Sequence, residues 1–75
     1  MEALKAINTV IAKSGKSKMQ VARDMGKSDY YVTALTGRGS VPKADTLALI
    51  AEACGYRLQL VSDDGKETIT IDPAK

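Results

Sequence analysis

A chain of 75 residues makes one small domain, whose core is marginal without extra support. One cysteine, Cys54, excludes an intrachain disulfide, and the lack of any histidine removes the common ligands of a structural zinc site, so helix packing or association must supply stability. A net charge of +2 excludes a non-specific polycation, and no apolar run approaches the roughly 20 residues of a membrane span.

The charge is unevenly placed. Lys5, Lys13, Lys16, Lys18, Arg23 and Lys27 crowd the first third of the chain against Glu2 and Asp24, while Asp63, Asp64, Glu67 and Asp72 make the far end acidic. A basic half can meet a polyanion while the other half does something else. The Met1 start, the lack of a signal peptide and the lone cysteine together predict a whole small cytoplasmic protein.

Residues 2–14 read as a first helix, because Leu4, Ile7, Val10 and Ile11 form one apolar stripe with Ala3 and Ala6 beside it. Glu2 and Lys13 suit the helix dipole, and Gly15 ends the run. Ser17 then caps a second helix, with Gln20 three residues on as a capping box. Val21, Ala22 and Met25 bury one side of it; the small Ala22 lets a neighbouring helix cross closely. Gly26 supplies the left-handed stop. Ser28 is the expected cap of a third helix, from about Asp29 to Thr36, with Val32 and Leu35 inward and Ala34 at the margin. Two helices joined by so short a connection make a helix-turn-helix arrangement, whose second helix shows an outer face to solvent.

Thr36 to Pro42 reads as a loop, rich in glycine and ending in proline. Residues 44–54 form a fourth helix with Leu47, Ile50, Ala51 and Cys54 inward, Leu49 alongside and Gly55 at its end. Beyond it the pattern alternates, and Asp64-Gly65 predicts a two-residue hairpin turn. That turn sets a register in which Asp63 faces Lys66, Leu60 faces Ile69, Leu58 faces Ile71 and Arg57 faces Asp72. Leu58, Leu60, Ile69 and Ile71 then share one face. Pro73 ends the second strand, and Ala74-Lys75 is expected to trail as a loose tail.

The fold class is therefore mainly α. Residues 1–55 form a four-helix bundle, and residues 56–75 form a C-terminal β-hairpin. A lone two-stranded ribbon is marginal in water and leaves two edges open. Pairing with a second copy through Leu58, Leu60, Ile69 and Ile71 is favoured over a mere cover for the chain's own core.

Residues 17–55 resemble the phage-repressor type of helix-turn-helix domain, the Cro/Xre-like family. The resemblance rests on Ser17, Val21-Ala22, Gly26, Val32, Leu35 and the glycine-rich loop with Pro42 leading to Leu47. It implies a compact repressor-like bundle, DNA binding through the second helix of the pair, and a homodimer on a two-fold operator. The hairpin is similar to that of antitoxin-like members, in which strands of two subunits join one sheet. The chain departs from the family at Lys18, where Gln is common, at Lys27, where an apolar residue is common, and at Thr36, where a bracing Glu is common.

Residues in the first turns of a reading helix reach base edges in the major groove. Here those are Ser28, Asp29, Tyr30 and Thr33, with Ala34 as an apolar contact. Asp29 either accepts from a cytosine amino group or only stabilises the helix N-terminus. Tyr31 lies on the other flank and is expected to pack rather than to meet phosphate. Lys16, Lys18, Lys27, Arg38 and Lys43 are the phosphate candidates, Arg38 and Lys18 foremost.

No enzyme is indicated: there is no histidine, no isolated nucleophile with a base, no phosphate-cradling glycine motif and no acid pair in a plausible cleft, and no metal or cofactor is implied. The expected function is a sequence-specific DNA-binding transcriptional regulator, a homodimeric repressor reading double-stranded DNA with residues 28–36. The alternatives are an antitoxin-type regulator that also holds a toxin or other effector, and a protein–protein adaptor without DNA binding.

Overall fold

The computed structural model describes residues 1–74. Four helices are followed by a two-stranded antiparallel hairpin: α1 (Ala3–Ser14), α2 (Lys18–Asp24), α3 (Tyr31–Gly37), α4 (Ala44–Ala53), β1 (Leu58–Val61) and β2 (Thr68–Ile71). The helices enclose a core of Ile7 and Ile11 from α1, Val21 and Ala22 from α2, Met25 beyond it, Val32 and Leu35 from α3, and Ile50 and Cys54 at α4. Leu4, Val10, Tyr31, Leu47, Leu49 and Ala53 pack around it half-buried.

Helix α2 starts as its sequence predicts, with the Ser17 hydroxyl accepting from the Gln20 backbone N–H at 3.1 Å. The return half of the capping box is absent, because the Gln20 side chain donates forward to Asp24 Oδ1 at 2.8 Å. At the other end Gly26 has φ +75°, where a side chain is strained. Its N–H donates to the Arg23 carbonyl and the Lys27 N–H to the Ala22 carbonyl. That pair of bonds is the Schellman closure, which satisfies carbonyls the helix would otherwise leave open.

Helix α3 differs from expectation at both ends. It begins at Tyr31, and no side chain caps it. The Ser28 backbone carbonyl, not its hydroxyl, accepts from the Tyr31 N–H, so residues 28–31 close as a tight turn before the helix. At the far end the helix runs through Gly37, and the expected loop from Thr36 is shortened. Arg38 keeps right-handed helical backbone angles, and the chain leaves the helix at Gly39, φ +71°.

Helix α4 is apolar on two sides because it has neighbours on two sides. It contacts α1 and α2 on one flank and both strands on the other. Ile50 and Cys54 are buried as expected, Leu47 and Ala51 only half-buried, and Ala48, not assigned to the core from sequence, is almost fully buried. Ala48 lines the cleft between α4 and the hairpin, where a single methyl group leaves room for β2 to approach.

The hairpin register agrees with the sequence: Leu58 pairs Ile71, Gln59 pairs Thr70, Leu60 pairs Ile69 and Val61 pairs Thr68. The turn itself is longer than the predicted two residues. Ser62 N–H donates to the Glu67 carbonyl and Gly65 N–H to the Ser62 carbonyl, leaving Asp63 to Lys66 as the loop. Ser62 and Asp64 side chains fasten it, through Glu67 N–H to Ser62 Oγ at 3.0 Å and Lys66 N–H to Asp64 Oδ1 at 3.0 Å. Adding one residue to each side of a turn preserves the pairing, so the register survives a wrong turn length. The end of the chain is not loose at Ala74, whose N–H donates to the Asp45 carbonyl at 2.9 Å; Lys75 lies outside the described residues.

Candidate nucleic-acid interface

Burying Val32 and Leu35 turns the opposite side of α3 outward. Tyr30 precedes the helix and is 71% exposed, and Thr33 and Ala34 lie one turn further along, both exposed. Spacings of three and four residues put these side chains on one face. Ser28 is exposed in the preceding turn. Tyr31 is half-buried against the core, with Lys27 Nζ 5.5 Å from its ring centroid, a cation–π contact that places a positive charge beside the same turn.

Asp29 is held. Arg23 donates to it twice, Nε to Oδ1 at 2.9 Å and Nη2 to Oδ2 at 3.1 Å. The hydrogen bond from Arg23 holds the Asp29 carboxyl below its ordinary range, and the same bond raises Arg23. The partners are six residues apart, a spacing that helical periodicity does not pair, so sequence reasoning missed them.

The expected phosphate contacts divide into two groups. Lys27, Arg38 and Lys43 are exposed: Lys27 in the turn after α2, Arg38 at the end of α3 and Lys43 at the start of α4. Lys16 and Lys18 make internal bonds. Lys16 Nζ reaches both Asp24 Oδ2 and the Ala53 carbonyl at 2.7 Å, tying α2 to the end of α4. Hydrogen bonds from Lys16 and then Gln20 hold the Asp24 carboxyl below its ordinary range. Lys18 is half-buried and donates to Thr36 Oγ1 at 2.9 Å, which in turn donates to the Val32 carbonyl at 2.9 Å. These bonds join the start of α2 to the end of α3 through two of the three positions, Lys18 and Thr36, at which the sequence differs from the repressor-like pattern.

The hairpin face is split. Leu58 and Ile71 are half-buried beside α4, whereas Leu60 is 60% and Ile69 is 62% exposed on the same face. Val61 is exposed on the other face. An open cleft of about 650 Å³ lies between α4 and the hairpin, with Glu52, Arg57 and Asp72 among its lining residues.

No helix of the described residues is long and apolar enough to cross a membrane. Comparison of the chain with protein-family models, with curated proteins and with solved structures gives no match.

Proposed function

We propose that this chain is a sequence-specific DNA-binding transcriptional regulator of the repressor-like helix-turn-helix kind, in which α2 supports and α3 reads. The observation that carries the reading is the outward face of α3, where Tyr30, Thr33 and Ala34 stand clear while Val32 and Leu35 anchor the helix from behind. An α-helix fits the major groove, and tyrosine and threonine offer both hydroxyls and apolar surface to base edges. Lys27, Arg38 and Lys43 supply charge for the flanking phosphates. Lys18 and Lys16 serve the reading mainly by bracing α2. In this reading the protein works in the cytoplasm as a repressor of its own or a neighbouring promoter, is not an enzyme and needs no cofactor.

The half-exposed hairpin face supports a homodimer, with Leu60 and Ile69 covered by a second copy. Two reading helices related by a two-fold axis would then enter successive major grooves about 34 Å apart. The same apolar face favours one further reading, an antitoxin-type regulator in which a toxin or another effector takes the place of the second copy.

The test is a gel shift against the DNA upstream of the chain's own gene. Tyr30→Ala, Thr33→Ala and Arg38→Ala together abolish the specific shift; unchanged binding refutes the reading face. Arg38→Ala alone weakens all sequences alike and lowers the salt slope by about one. Absence of binding at low salt, where electrostatic affinity is greatest, leaves the adaptor reading in its place.

A further inference from the structure

Asp29 stands immediately before Tyr30, at the end of α3 that would enter the groove. A free carboxylate there would oppose phosphates of like charge. Instead both its oxygens are taken by the Arg23 fork, at 2.9 and 3.1 Å. The fork spans the whole connection, from the last turn of α2 to the turn before α3. Its side chains are 55% and 40% exposed, so the pair adds little to folding stability. Its effect is on charge: it cancels a negative charge beside the reading face and engages both oxygens that a cytosine amino group would approach.

Resting on the DNA-binding reading, we infer that Arg23 is a positioning residue for DNA recognition, masking Asp29, and that Asp29 does not read a base. The net charge presented at the turn, not the identity of either side chain, then sets its contribution to affinity.

Fluorescence anisotropy of the full chain on a labelled duplex from its own upstream region, at two salt concentrations, tests this. Arg23→Ala unmasks the carboxylate and raises Kd about fivefold, the scale of one unit charge at short range in water. Asp29→Asn frees the guanidinium, lowers Kd severalfold and steepens the salt slope by about 0.9. The double variant returns to within about twofold of the parent, and Arg23→Lys, which keeps the charge, stays close to it. Thermal melting of each variant confirms the fold, and Asp29→Asn preserves side-chain shape. Weaker binding by Asp29→Asn with lost preference at one base pair overturns the inference, because Asp29 would then be a reader. A double variant as weak as Arg23→Ala also overturns it, because Arg23 would then touch phosphate itself. If the parent chain binds no duplex even at low salt, the DNA-binding reading fails and the masking role falls with it; if the parent binds, the variants judge the masking role alone.

Discussion

Replacing Leu60 and Ile69 together by threonine tests the association of two copies. Both residues lie on the apolar hairpin face and leave about three-fifths of their surface to solvent, 60% and 62%. Complete burial of such a side chain contributes about 2 kcal/mol, so covering the exposed part contributes about 1.2 kcal/mol each. A symmetric pair buries four of them, about 5 kcal/mol in all. At 1.4 kcal/mol per tenfold, the double substitution raises the dimer dissociation constant by about a thousandfold. Threonine has the β-branched shape that strands favour, and the positions are exposed, so the single chain should fold as before. Sedimentation velocity over a wide concentration range reads the result: the parent sediments as a dimer and the variant as a monomer, with matching circular dichroism. A parent that is monomeric throughout, or a variant that remains dimeric, refutes the reasoning.

Three further outcomes follow from the helices. Gly26→Ala should cost about 1–2 kcal/mol in chemical denaturation; an added Cβ meets nothing within 4 Å, so the penalty is that of the +75° backbone alone. Lys18→Met and Thr36→Val should each destabilise, and a double-mutant cycle should give a coupling of about 0.5–1 kcal/mol, reduced by partial exposure of the bond. Asp24 has its carboxyl depressed by Lys16 and Gln20, so its contribution is complete above the unfolded value of about 3.9 and is lost as pH falls through the lower folded value. Asp24→Asn should therefore melt at a temperature that declines less than the parent's on acidification through that window, measured by scanning calorimetry.

What the sequence made legible was what nearest neighbours decide. Gly26 and Gly55 stop helices because only a left-handed backbone closes them, and both do so with the same pair of bonds. The alternation of Leu58, Leu60, Ile69 and Ile71 set the strand register, which held although the turn is four residues long. Hidden from that reading were bonds between distant segments. Lys16 reaches a carbonyl 37 residues away and Lys18 a hydroxyl 18 residues away, and no local periodicity encodes either. Ala48 was missed for a related reason: its burial depends on where the hairpin folds back, beyond the reach of the helix's own pattern. At the candidate site, the outer face of α3 could be read from its inner one, but the pairing of Asp29 with Arg23 needed the turn to be built first.

Cys54 offers a use that its buried place makes available. Desolvation pushes its thiol up, and the Ser14 and Lys16 neighbours that act the other way do not offset it. Only the thiolate reacts quickly with electrophiles, so a chromogenic disulfide reagent should find this sulfur slow while the end of α4 stays docked. The chain thus carries a native clock: the labelling rate reports how often that helix end lifts from α1 and α2. Adding a DNA duplex or raising the protein concentration should slow the clock wherever either event holds the bundle shut.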